Sequence, residues 1–231
     1  MTIQRLAGIA MIAIPVVFMA AFTGLQMTFE YPDILRLPAA EILERFQAGG
    51  GGLLAIWYVF MAAALAFIPL AVLSALWLQP RHQTAAAFAA TFGILAGLVQ
   101  GLGLLRWVVL VPSLAANHAA APANDAVNEA VFEAFHLYAG AGIGEHFGYL
   151  FTALWTLSIV AALWSERRWF AVIGAVLALG IVVGMAEPFG LPAAGAINAI
   201  AYSVWAIWLL ALGVMLVWKQ PADKPAGAMA A

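Results

Sequence analysis

Six apolar runs, at 6–27, 53–78, 85–111, 139–164, 169–186 and 196–218, hold only two Asp, Glu, Lys or Arg side chains between them: Arg106 and Glu145. About 20 consecutive apolar residues in helical form cross the ~30 Å hydrocarbon layer of a bilayer. Inside that layer a backbone has to satisfy its own hydrogen bonds, which helices do within a single segment. The expected fold is therefore all-α, an integral membrane bundle of six transmembrane helices. The fifth run is the shortest, and Glu187-Pro188 closes it.

Composition agrees. Of 231 residues, 66% are hydrophobic and 9% charged, against about 25% charged in soluble domains. In water such a surface would aggregate; in lipid it is what the solvent requires. The net charge of −2 offers no basic field for nucleic acid. With no cysteine in the chain, disulfides, Cys-ligated zinc and iron–sulfur clusters are excluded. The first run is too long for the ~7–15-residue core of a secretory signal, so it reads as a retained first helix; the alternative is cleavage near Ala20–Ala21. The organisation expected is a single six-helix transmembrane domain over 1–218 and a disordered cytoplasmic tail over 219–231.

Basic residues outside the runs set the expected orientation. With the N-terminus inside, the inner positions hold Arg5, Arg81, Arg167, Arg168, Lys219 and Lys224, while the outer loops hold Arg36 and Arg45. Loops 112–138 and 187–195 contain neither Lys nor Arg. The positive-inside rule then favours both termini in the cytoplasm. Trp77, Trp164 and Trp218 stand at the expected inner ends of the second, fourth and sixth helices, each followed by basic residues, as interfacial indoles do.

The first outer loop carries a helical signal. Pro38 suits a first helical turn and Glu41 its positive end. Ile42, Leu43 and Phe46 share a face, and Glu41 can pair with Arg45 at i,i+4. A short amphipathic helix at the outer surface is expected, leaving through the glycine run 49–52. The second loop, 112–138, is expected to begin irregularly at Pro112 and to turn helical around 124–137. The phrases ALWLQPR and ALWSERR both lie at inner helix ends, so their likeness reflects the interface and not a duplication.

Three stretches carry a resemblance: YPDILRLPAAEILERFQAGGGGLLAIWY (31–58), LRWVVLVPSLA (105–115) and HLYAGAGIGEHFGYLFTALWT (136–156). With polar residues at fixed places in apolar surroundings, the chain resembles a bacterial family of uncharacterised integral membrane proteins, domain of unknown function 4386, up to about Trp218. The resemblance implies a multi-pass protein of the bacterial cytoplasmic (inner) membrane and assigns no activity and no catalytic residue.

Ionisable groups within a bilayer are costly and gather in bundle interiors. Arg106 and Glu145 lie at similar depth on consecutive helices and are expected to be partners, directly or through a shared ligand or water. Glu145, Tyr149, Thr152 and Thr156 share one helical face; Thr156 is expected to bond its own i−4 carbonyl. His146 points elsewhere. Gly180, Gly184 and Glu187 share a face of the fifth helix, and Asn198, Tyr202 and Trp205 one of the sixth. The expected ligand-binding set is Arg106, Glu145, His146, Tyr149, Glu187, Asn198 and Tyr202. The spacings Gly93–Gly97–Gly101 and Gly140–Gly144–Gly148 are expected to let the third and fourth helices pack closely. Glu133 and His136 form a lone E-x-x-H pair, where a di-iron bundle needs two. His136 and His146 with a Glu could hold zinc only if brought together, and no metal site is assigned. No cofactor is implied.

Three functions fit this pattern: a small-molecule-binding or transport protein with an outward pocket between helices three to six, a membrane enzyme using Glu145, His146 and Arg106, and an accessory protein with no small-molecule site. Convergent polar groups without a catalytic signature favour the first. The bilayer is the one partner implied; oligomeric state is not. Orientation is open to a direct check: alkaline phosphatase fused after Trp218 should be inactive and a cytoplasmic fluorescent reporter bright, and the reverse would refute the topology.

Overall fold

The computed structural model describes residues 1–120, 125–191 and 193–218. The expected tail at 219–231, with Lys219 and Lys224, and Asn124 in the second loop lie outside the described residues. The described elements are all helical: α1 (Ile3–Phe29), a 3₁₀ turn (Asp33–Arg36), α2 (Ala39–Leu65), α3 (Phe67–Leu78), α4 (Gln83–Ala120), α5 (Asp125–Phe135), a π-helical segment (His136–Phe147), α6 (Gly148–Leu163), α7 (Arg168–Val183), a 3₁₀ segment (Gly184–Phe189) and α8 (Ala194–Trp218). α2 runs into α3, and α5 runs through the π segment into α6. Among the described residues this makes six helical spans long and apolar enough to cross a membrane.

The second, third and fourth spans extend well past their apolar runs. α4 does not stop at Pro112 but continues to Ala120. Pro112 costs one backbone hydrogen bond and not the helix, because the Ala-rich stretch beyond it is a strong helix former and Leu114, Ala115 and His118 are buried. The fourth span likewise begins at Asp125 instead of 139. Arg106 and Glu145 therefore lie well inside their helices.

The chain before the second span is helical from Ala39, and its one interruption is Gly50, at φ 55° and ψ −153°. Only glycine adopts that conformation cheaply, so a single residue, and not a flexible run of four, turns the chain. Ile42, Leu43 and Phe46 are buried beside Phe29, Trp57 and Trp107, so this apolar face meets protein and not lipid. Arg45 ties the segment together, reaching Glu41 at 2.6 Å and Glu30, at the end of α1, at 2.9 Å.

Two apolar cores are stacked along the bundle. One joins Phe29, Phe46, Trp57, Trp107 and Phe132 at one end; the other joins Leu70, Trp155, Ile159, Trp205, Trp208 and Leu212 toward the opposite end. The indoles of Trp57 and Trp107 stack at 4.4 Å and 7°. Along α4, residues 97–106 pass between the two cores. The α2–α3 break at Ala66 and the in-helix Pro15 of α1 fall at the same level.

Glycines set the closest helix approaches, with partners different from those expected. Gly97 and Gly101 of α4 face Ile68 and Leu65 of the second span, and Gly93 faces Ala71 and Trp155. The fourth span instead meets α4 at Gly103: a Cβ there would lie 2.6 Å from Gly144 Cα, while Gly148 faces Gln100. The third and fourth helices do touch backbone to backbone, but through Gly103 and Gly144. Gly144 and Gly148 thus face the third helix as expected, while on α4 the Gly93–Gly97–Gly101 stripe serves the second span and Gly103, two residues on and so on the other side of the helix, meets the fourth. At the other side of the bundle Gly8 of α1 meets Gly213 of α8, a Cβ on either lying 2.7 Å from the other's carbonyl oxygen.

Gly103→Leu or Gly144→Leu should destabilise the protein by about 1–3 kcal/mol or more, since backbone cannot yield as side chains do. Gly51→Ala, where a Cβ meets nothing within 4 Å, should leave the thermal midpoint in detergent unchanged or raised. Equal midpoints for all three variants would refute the packing.

Candidate functional site

Arg106 is the centre of the site. It projects from α4, 7% exposed, into a space left by Gly140, where any side chain would collide with the guanidinium. Its Nη1 donates to the Gly103 carbonyl, its Nη2 stands 3.5 Å from His136 Nδ1, and its Nε has no partner. The guanidinium also lies 5.3 Å from the Trp107 ring centroid, an attractive placement for a cation. No carboxylate lies within 4 Å of it among the described ion pairs.

Glu145 is half-buried in the π segment. It does not form a direct ion pair with Arg106, yet the two charges are near enough to act on each other. Tyr149, one turn on, lies beside the Glu145 carboxylate. Tyr31, from the loop between the first two spans, senses both charges. Burial pushes its phenol pKa up, Glu145 adds to the rise, and Arg106 opposes it. Tyr31 therefore stays protonated and can donate a hydrogen bond.

A polar line continues from this cluster along the fourth span. The rings of Tyr149 and Tyr202 lie 5.7 Å apart, and Tyr202 reaches Thr152. Gln100 Nε2 donates to Thr152 Oγ1 at 3.1 Å. Thr156 donates to its i−4 carbonyl at 2.8 Å, as expected, and also accepts from Trp205 Nε1 at 2.8 Å. Gln100, Thr152 and Tyr202 edge a cavity of about 60 Å³ whose other walls include Pro15, Phe18, Phe67 and Trp205. Space of that size holds a few waters at most.

Of the seven residues expected to gather, the structure brings together Arg106, Glu145, Tyr149 and Tyr202. Glu187 is exposed at the rim, against Gly195 and within electrostatic range of Glu145. Asn198 is engaged elsewhere: buried, it donates to the Ile181 carbonyl at 2.7 Å and clasps α8 to α7. His146 contacts the Phe147 ring at 5.9 Å. His136 stacks on Phe132 beside the Arg106 cation, and no group of three His, Asp or Glu among the described residues is arranged to hold a metal.

Sequence reasoning did not reach Tyr31 or Gln100. Gln100 was visible as the one amide in the apolar stretch of the third run. Tyr31 carried no signal, since loop folding alone brings it to the cluster.

The bundle and its buried charges define a multi-pass helical membrane protein with a polar cluster between two apolar cores. Residues 6–214 match the family described as Domain of unknown function (DUF4386), and the chain belongs to that family. No curated protein and no solved structure matches it.

Coupling between Arg106 and Glu145 can be measured by a double-mutant cycle. Arg106→Ala should be strongly destabilising, and adding Glu145→Gln should recover at least about 0.5 kcal/mol of that loss. Strict additivity would show that the two charges do not sense each other.

Proposed function

We propose that the protein binds a small molecule at the cluster of Arg106, Glu145, Tyr149, Tyr31 and Tyr202, entered past Glu187 from the outer face of a bacterial cytoplasmic membrane. In this reading residues 1–218 form one six-helix unit with both termini inside. The observation that carries it is the state of Arg106: a buried cation with a free Nε and, among the described residues, no carboxylate in an ion pair with it, although Glu145 stands nearby. A pair kept for helix register alone would close on itself. An open pair of opposite charges, flanked by phenols, suits a ligand offering an acceptor to Arg106 and a donor to Glu145.

The residues divide the work. The Arg106 fork orients a carboxylate or similar planar acceptor. The Glu145 carboxylate takes a hydroxyl or ammonium proton donor. Tyr31 and Tyr149 supply phenols to either. The polar line ends at Gln100 and Thr152 and the further groups toward the other end are Thr and Ser, which favours a binding pocket over a through-path.

Thermal shift of the purified chain in detergent tests the reading, with benzoate, benzyl alcohol and phenylalanine as probes. A ligand stabilises by RT ln(1 + [L]/Kd), so a saturating rise in midpoint is expected for the carboxylate-bearing probes and should vanish in Arg106→Gln. The amino group of phenylalanine should give it an advantage over benzoate that Glu145→Gln removes. Identical shifts in wild type and both variants, or none in any, would overturn the proposal.

A further inference from the structure

A second concavity lies elsewhere, between the start of α4 and the end of α6. It is an open groove of about 860 Å³. Its mouth is polar, formed by Arg81, His82, Gln83 and Thr84, and its body is apolar, formed by Phe88, Phe92, Leu154 and Leu157. Polarity therefore changes along the groove in the sense in which a bilayer changes from headgroup to acyl chain.

The apolar part continues as a ladder of stacked phenyl rings. Phe88 stacks on Phe92 at 5.8 Å, Phe92 on Phe151 at 6.4 Å, and Phe151 on Phe147 at 6.1 Å, all within 19° of parallel. Phe88 and Phe147, at the two ends, are 51% and 46% exposed. The ladder's three ring-to-ring steps, of 5.8, 6.4 and 6.1 Å, give it a length comparable to most of an extended acyl chain.

Charge at the mouth selects the headgroup. Arg81 approaches Glu166 at 3.6 Å, and both stay substantially exposed. Arg167 and Arg168 adjoin them in sequence, leaving a basic excess where the loops between spans two and three and spans four and five meet. Basic pockets between membrane helices are suited to phosphate-bearing lipid heads.

We propose that this groove holds one anionic phospholipid, its phosphate at Arg81 and His82 and one acyl chain along the Phe88–Phe147 ladder. The site is independent of the Arg106 cluster. Free phosphate could satisfy the mouth but would leave the ladder uncovered, so the lipid is the occupant the whole groove describes.

Native mass spectrometry of the full chain, released from detergent with equal amounts of dioleoylphosphatidylglycerol and dioleoylphosphatidylcholine, tests this. Retention of phosphatidylglycerol should exceed that of phosphatidylcholine by about fivefold per basic group engaged. Arg81→Gln with His82→Gln should abolish the preference. Ala161→Trp, which fills the groove and leaves the charges in place, should remove the adduct. Glu166→Gln, freeing Arg81 from its carboxylate, should strengthen retention, a gain that misfolding cannot imitate. Equal retention of the two lipids, an adduct unchanged in Ala161→Trp, or displacement by millimolar inorganic phosphate would overturn the proposal.

Discussion

The arrangement of this bundle depends on keeping one guanidinium inside it. A basic side chain at the centre of a membrane helix costs about 2.5–3.5 kcal/mol on insertion scales, and Arg106 is buried among helices with no ion pair to a carboxylate among the described residues. The surroundings meet that demand piece by piece. Gly140 withdraws its side chain from the guanidinium's path, Gly103 offers a carbonyl, Trp107 a ring face and His136 a ring nitrogen. None of these neutralises the charge, and Glu145 does so only from a distance. The result is a polar layer with acceptor capacity to spare.

That layer coincides with the places where helices are least regular. Pro15 interrupts the hydrogen bonding of α1, the second span breaks at Ala66, and the fourth is π-helical from His136 to Phe147. Pro69 supplies a cause for the break, since it cannot donate to the Leu65 carbonyl. Gly97 lets α4 approach that broken turn closely, near the Ile68 backbone nitrogen. Irregular backbone inside a membrane protein is tolerated where protein or a polar cavity surrounds it, and here both do. The two apolar cores on either side are regular and aromatic-rich, and they hold the layer in position.

The number of spans was legible in the chain because apolar length is read almost without context. The Glu41–Arg45 pair and the buried face of Ile42, Leu43 and Phe46 were legible for the same reason, as helical spacing alone places them. Helix ends were less so. The helix over 125–137 was legible, but residues 113–120, expected to be irregular after Pro112, are helical without being apolar enough to extend a run. The glycine face of the fourth span was legible, but on α4 the Gly93–Gly97–Gly101 stripe serves the second span and the backbone contact with the fourth falls to Gly103. Of the polar cluster, Arg106, Glu145, Tyr149 and Tyr202 could be gathered from depth and spacing. Asn198 could not be told apart from them until its bond to Ile181 was seen.

The contact between Gly8 and Gly213 bears on how the protein is made. Of the described helices α1 precedes and α8 follows all the others, so this tight surface, with the Gln4 to Leu216 hydrogen bond beside it, forms only after all six spans are translated. Until then the Gly8 face of α1 lies against lipid or against whatever assists insertion. Contacts so distant in sequence are slow to form, and partly assembled chains are the ones most exposed to misassembly and proteolysis. Closure of the bundle by α1 against α8 thus waits on both: without α8 the Gly8 face of α1 stays uncovered.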